Sequence, residues 1–317
     1  MSQFSSKLSL RQHDFLLFAI MGILAGCGLI YEYLLSHYAG RILGAVEHVI
    51  FAMIGVMIVS MGLGAFAARV FKSYFNSFVW LEVSIALIGA TSVLLLAATT
   101  ALANILPQIL METFSLPADL LPRGGMISWA HSIASVMPYV SGFVLGFLIG
   151  MEIPLIASIR EQIYGEHIKN NTGSVYGADY IGAGIGAGLW VFFMLSMPPT
   201  MAAAITASVN LVVGLVFYVV YRRRIGFGGW VVSAHLLVGL IIALVAVNGT
   251  DWDNAMEDLL YKDKVIFSYN TQYQHVTITE RIMDPAKPKI ISMFINGRSQ
   301  FASNDEAIYH AMLVAPV

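Results

Sequence analysis

Charge is the first thing this 317-residue sequence lacks. Asp, Glu, Lys and Arg make up 11% of it, against about 25% in soluble domains. Hydrophobic residues make up 58%. Together these exclude an ordinary water-soluble fold and leave a polytopic membrane protein. Cysteine is almost absent: Cys27 stands alone, which excludes an intrachain disulfide. In "AGCGL" it reads as a small buried residue. The net charge of -2 says nothing about nucleic acid, and no nucleic-acid partner is expected. No metal site is expected either. The polar start "MSQFSSKLSLRQHDF" runs into a full-length apolar stretch that no small-residue cleavage site closes. It is read as an uncleaved N-terminus and not a signal peptide.

What is present is apolar runs. A membrane span needs about 20 mostly apolar residues. Seven such runs occur: Phe15–Leu35, Val49–Ala68, Phe78–Ala98, Ile133–Ala157, Tyr176–Met197, Met201–Tyr221 and Trp230–Asn248. The segment Thr99–Ala130 is broken by Pro107, Pro117 and Pro122 and carries Glu112, Asp119 and Arg123. It is expected to be an interfacial or partly re-entrant connection. Before the tail, Lys7, Arg11, Arg69, Lys72, Arg160, Lys169 and Arg222–Arg224 fall on one side of this layout, and only Arg41 and Arg123 on the other. The positive-inside bias then places the N-terminus in the cytoplasm and the tail outside. Counting the Pro-broken segment as an eighth span brings the tail inside, but it removes the charge bias. The seventh span has no Lys, which disfavours a retinal-type receptor.

After Asn248 the composition changes. "DWDNAMEDLLYKDKV" is acidic and reads as a short amphipathic helix. "VIFSY", "YQHVTITERI" and "KIISMFI" are rich in β-branched and aromatic residues, and "HVTITERI" alternates at period two. "MDPAKP" and the Asn-Gly of "NGR" supply turns. "SNDE" offers Ser303 as an N-cap with Glu306 three residues on, opening a helix over Asn304–Leu313. The expected architecture is an α-helical integral membrane protein. A seven-span bundle (1–248) is followed by a small antiparallel β-unit with one helix (249–317).

The tail carries Tyr273-Gln274, then Ile295-Asn296-Gly297, then Gln300, then Asp305-Glu306-Ala307-Ile308-Tyr309-His310. In order and spacing these resemble the N-terminal β-domain of the polyamine aminopropyltransferases, the spermidine synthase family. The spans, with "GLIYEYLLSHYAGRILG", "GMEIPL" and "ADYIGAGIGA", look like the multi-span region fused to some bacterial members. The resemblance implies transfer of an aminopropyl group from decarboxylated S-adenosylmethionine to a diamine such as putrescine. By motif match, Gln274 touches the nucleoside co-substrate. Tyr309 and His310 sit where diamine and aminopropyl group meet, and Gln300 belongs to the same substrate-binding set. An amide and a phenol suit cationic substrates because they offer acceptors without adding positive charge.

The family pattern departs at Asn296, where an Asp is expected, and at Ala311, where a Glu is expected. The strand, Gly-rich loop and helix of a nucleotide site, and the catalytic Asp, do not appear in these residues. The catalytic residue is therefore unassigned, no cofactor is expected to be bound, and the 317 residues are expected to be inactive alone. The Gly-rich "GADYIGAGIGAG" lies inside an apolar span and is read as a close helix-packing surface.

Within the spans, ionisable residues are functional candidates by default. Asp179 with Glu152 is singled out as a polar site, with a cationic polyamine as its ligand or a hydrogen-bond network with Tyr31, Tyr139 or Tyr180 as the alternative. Glu32, Glu82 and Glu152 are expected nearer the span ends, with facing headgroups or pairing with loop residues such as Arg41 or Lys72 as the alternative for Glu32 and Glu82. The expected setting is the bacterial inner membrane, multi-pass. The expected partners are the lipid bilayer, a polyamine or diamine, and a second copy of the chain. A carrier or channel for a cationic metabolite, or a structural subunit with a decayed enzyme-like tail, are the rival readings.

Overall fold

The structure is a computed structural model, and it describes residues 9–44, 46–115, 124–261, 263–271, 274–283 and 286–315. Eight helices form a bundle. They are α1 (Leu10–Leu43), α2 (Val46–Ala67), α3 (Tyr74–Thr113), α4 (Gly125–Ile149), α5 (Glu152–Tyr164), α6 (Asn171–Leu189), α7 (Pro199–Tyr221) and α8 (Gly228–Tyr261). A π-helical turn, Trp190–Met194, extends α6. Among the described residues, seven helical segments are long and apolar enough to cross a membrane, by length and composition.

The axis of the bundle is α1. It opens with a capping box: Ser9 Oγ accepts from the Gln12 backbone N–H, and the Gln12 side chain accepts from the Ser9 backbone N–H. It closes at Gly44, which takes a left-handed φ of 68°. Along its length Leu17, Leu24, Tyr31, Leu34 and Leu35 are fully buried, with α6, α2 and α7 packed around it. The α1–α6 crossing is as close as two backbones allow. A Cβ on Gly182 would strike the Gly22 backbone, and one on Gly186 would lie 2.5 Å from the Gly26 carbonyl oxygen. The glycine run of α6 is thus a packing surface.

Three expected boundaries are corrected. Thr99–Ala130 is not a separate interfacial piece: its first part continues α3 to Thr113, through Pro107, and its last part opens α4. Proline inside a membrane-type helix is tolerated where neighbouring helices and local groups take up the freed carbonyl, and α3 continues through Pro107 without ending. Residues 116–123, including Pro117, Asp119, Pro122 and Arg123, lie outside the described residues. The fourth run is divided at Gly150–Met151, where α4 ends and α5 begins. A Cβ on Gly150 would strike the Met61 backbone of α2. The acidic segment after Asn248 is not a separate helix. It is the end of α8, which runs unbroken to Tyr261.

Four strands follow: β1 (Lys264–Asn270), β2 (His275–Arg281), β3 (Ile290–Ile295) and β4 (Arg298–Ala302). They form one antiparallel sheet in sequence order. Asn296 (φ 48°) and Gly297 (φ 75°) are both left-handed, as a two-residue hairpin turn requires. The last helix, α9 (Glu306–Val314), has Asp305 and not Ser303 at its N-cap position, and the Asp305 side chain makes no cap hydrogen bond; its Oδ1 accepts from the Ala302 backbone N–H. Ser303 is held elsewhere: its hydroxyl accepts from the Ile291 backbone N–H, which ties it to β3. The "MDPAKP" turn includes Asp284 and Pro285, which lie outside the described residues.

Gly182→Leu should lower stability by about 2–3 kcal/mol, because the added side chain has only backbone to displace. Gly184→Leu, whose Cβ meets nothing within 4 Å, is the control and should be near neutral. Thermal melts of both variants in detergent check this; equal melting would refute the close α1–α6 crossing.

Candidate functional site

The tail motif spreads over both ends of the sheet. Gln274 is exposed and immediately precedes β2; its backbone N–H donates to Thr271 Oγ1 at 2.8 Å. Its neighbour Tyr273 lies outside the described residues. Gln300 is exposed on β4, two strands from β2. Tyr309 and His310 lie on α9, with the Tyr309 ring 6.1 Å from that of Phe301 on β4. Gln300, Tyr309 and His310 therefore share the β4–α9 edge. Among the described residues no hydrogen bond joins Gln274 to that edge. Asn296, where the family pattern has Asp, uses its side-chain oxygen to accept from the His275 backbone N–H at 2.9 Å.

The bundle meets the sheet at a buried charge cluster that sequence reasoning missed. The end of α1 brings Tyr38 and Arg41, the extension of α8 brings Asp253 and Glu257, and β2 brings His275 and Thr277. All six are buried. Arg41 Nη2 lies 2.6 Å from Glu257 Oε1 and Nη1 lies 3.8 Å from Asp253 Oδ2. Tyr38 donates to Asp253 Oδ1 at 2.6 Å. His275 Nε2 lies 2.8 Å from Glu257 Oε1, and Ser268 Oγ donates to Glu257 Oε2 at 3.0 Å. Burial, followed by the Arg41 guanidinium, lowers the His275 pKa, while its bond to Glu257 pulls the other way. A neutral ring donating from Nε2 satisfies the geometry. The signal was legible in principle: Asp253 and Glu257 are four apart on one helix face, and His275, Thr277 and Thr279 alternate on one strand face.

Beside this junction lies a cleft of about 620 Å³ whose walls include Arg41, Asp251, Asp253, Asp258, Ser268 and Tyr269. Its lining is acidic on balance: Asp253 is paired with Arg41 and Tyr38, Asp258 accepts from the Val265 backbone N–H, and Asp251 is exposed. Within the spans, Asp179 is only partly buried, whereas Glu152 is 1% exposed and neither carboxyl oxygen has a hydrogen-bond partner among the described residues. Glu82 does not face outward. It is fully buried and accepts from the Asn210 amide at 3.1 Å. Arg41 pairs with α8 and not with Glu32. Tyr180 is 71% exposed, which removes it as a partner for a buried network. Among the described residues no group of three His, Cys, Asp or Glu could hold a metal ion.

Removing Glu257 strands a buried guanidinium. Glu257→Ala should cost about 3–5 kcal/mol, read as a lower denaturation midpoint. Because His275 has a lower pKa folded than unfolded, its contribution is complete above the unfolded value, about pH 6.5. It is lost as pH falls below that, when the unfolded chain takes up the proton. Melts taken between about pH 8 and about pH 5 should show a shallower acid decline in His275→Gln than in wild type. Parallel declines would refute the linkage.

No family profile matches the chain, and no solved structure matches it. Curated relatives do. Over 303 residues it is 51% identical to a polyamine aminopropyltransferase of Shewanella oneidensis, covering 96% of this chain and 53% of that protein. It is 30% identical over 310 residues to polyamine aminopropyltransferase 1 of Streptomyces coelicolor, 95% of this chain and 52% of that one. A polyamine aminopropyltransferase of Oceanobacillus iheyensis is 28% identical over 301 residues, 93% and 52% of the two chains. The chain thus spans about half the length of the curated relatives it matches.

Proposed function

We propose that this chain, which belongs to the polyamine aminopropyltransferase family, is the membrane bundle and amine-side β-unit of a membrane-bound aminopropyltransferase. The observation that carries the reading is the 51% identity over 303 residues, which runs through bundle and tail alike. The reaction moves an aminopropyl group from decarboxylated S-adenosylmethionine to a diamine such as putrescine, with polyamine as product. It requires two cationic substrates held in line and a proton taken from the attacking nitrogen. Gln274 contacts the nucleoside co-substrate, and Gln300, Tyr309 and His310 line the amine side from the β4–α9 edge. Among the described residues there is no strand, Gly-rich loop and helix of the Rossmann kind, and on this reading the 317 residues on their own bind no nucleoside and make no product.

The bundle spans the bacterial inner membrane with its N-terminus in the cytoplasm. The basic bias supports this orientation. The ion pair of Arg160 with Asp14 at 2.9 Å agrees with the span count behind it, since it puts Arg160 and the start of α1 at the same end of the bundle. The β-unit docks at the other end of α1, some 34 residues on. On this reading it lies outside, and the nucleoside co-substrate must reach it there.

Two measurements test the reading. Purified 1–317 given putrescine and decarboxylated S-adenosylmethionine should form no spermidine. In a polypeptide that also carries a nucleotide-binding half, Gln274→Ala and His310→Ala should each lower turnover about 10²-fold and leave membrane insertion unchanged. Product from 1–317 alone, or full activity in both variants, would overturn it. Reporter fusions within Arg222–Arg224 and after Val317 test the orientation. A cytoplasmic signal from the second would reverse it.

A further inference from the structure

The bundle core holds polar side chains that the proposed transfer reaction does not use. Tyr31 (α1), Glu82 (α3), Glu152 (α5), Asn210 (α7) and His235 (α8) are each 5% exposed or less. They converge from five helices. Asn210 donates to Glu82 Oε2. A Cβ on Gly214 would lie 3.0 Å from Glu82 Cβ and 3.2 Å from His235 Nε2, so both close on the same glycine. Glu152 lies within electrostatic reach of Glu82 and Asp179, and both Tyr31 and Cys27 lie within reach of Glu82 and Glu152.

A hydrogen-bond inventory of the cluster comes out short of donors. His235 Nδ1 is 2.8 Å from the Val231 carbonyl oxygen, which can only accept. The ring proton of the neutral imidazole is therefore on Nδ1, and Nε2 is an acceptor. The cluster atoms with no hydrogen-bond partner among the described residues are Glu82 Oε1, both Glu152 oxygens, Asn210 Oδ1, His235 Nε2 and Tyr31 OH. Five of these six accept in that state, and only the Tyr31 hydroxyl can donate. The charges that Glu152 feels, from Glu82 and Asp179, are both acidic. Two ionised carboxylates buried without a cation carry a heavy desolvation penalty. A proton placed on either carboxyl removes that charge and turns an acceptor into a donor.

We propose that Glu82 and Glu152 form a proton-binding site in the core of the bundle, with Asn210, His235 and Tyr31 as the hydrogen-bond partners that orient it. The ligand is the proton. The other titratable groups that face it are Cys27 and Tyr31 from α1, Asp179 from α6 and His235 from α8. Proton loading is then an activity of the bundle itself, separate from anchoring a transferase.

The test uses wild type, Glu82→Gln and Glu152→Gln in lipid vesicles. Infrared spectra at neutral pH should show carboxylic-acid C=O bands that shift in D2O, and each variant should lose one of them. Exchanging sodium for choline in the buffer should leave them unchanged. Wild type without such bands, or variants that remove none, would overturn the proposal. Bands lost when sodium is present would assign the site to an alkali cation instead. Should the variants fail to fold, dicyclohexylcarbodiimide, which modifies protonated carboxyls in apolar surroundings, reads the wild type directly. Adducts mapped to Glu82 or Glu152 that increase as pH falls support a proton site. Absent or pH-indifferent labelling refutes it.

Discussion

Arg41 sits in the last turn of α1, where a cation complements the helix dipole, yet its side chain is only 6% exposed. A guanidinium cannot be deprotonated, so burying it obliges the chain to supply carboxylates at the same place. Asp253 and Glu257 do so, and they can because α8 continues unbroken past the apolar stretch. The strand that follows brings His275 and Thr277 onto the same carboxylate. One unavoidable charge therefore fixes the register of α1 against α8 and the seating of the sheet on both. A Cβ on Gly297 would lie 2.8 Å from the Arg41 carbonyl oxygen, so the hairpin turn is pressed against the same residue.

The same constraint recurs along α1 with different outcomes. At its start Asp14 receives Arg160 Nε at 3.0 Å and the Tyr164 hydroxyl at 2.5 Å, while Asn171 accepts from Arg160 Nη1 at 2.5 Å. At its end the Arg41 cluster is similarly paired. Midway, beside Tyr31, two carboxyls are buried with no cation among their neighbours. The two ends use fixed charges matched to one another. The middle uses groups whose charge can be removed by a proton, and there the one side-chain bond to a carboxyl among the described residues comes from the neutral Asn210 amide.

Much of this was legible in the chain. Apolar length and composition located the seven long segments, and period-two alternation located β2. Asn296-Gly297 announced a turn that needs positive φ at both residues. The errors have physical causes. Proline was weighted as a helix breaker at Pro107, although proline is tolerated in membrane-type helices. The acidic stretch after Asn248 was split from α8 because charge was taken to end a span. Its carboxylates instead turn inward to meet Arg41. Ser303-x-x-Glu306 carries the capping-box pattern, but Ser303 is used in the sheet and Asp305 stands closer to the helix start. Glu82 and Arg41 were misplaced for one reason: sequence position measures distance from the end of an apolar run, not which way a side chain faces.

The sheet shows how one strand can serve two ends at once. His275, Thr277 and Thr279 are almost fully buried on one face of β2, and that face is committed to the bundle. Gln274 precedes the strand and stays exposed, as do Gln300 on β4 and Tyr309 on α9. No residue of α9 is buried, and Ile308, Met312, Leu313 and Val314 are each at least 67% exposed. The inner face is polar because it meets carboxylates, and the β4–α9 edge presents apolar residues outward. That inverts the usual apolar-in, polar-out alternation of a one-sided sheet. The inversion follows from Arg41: a sheet seated on a buried ion cluster must turn its hydroxyls and imidazole inward, which leaves its apolar side for whatever packs on the β4–α9 edge.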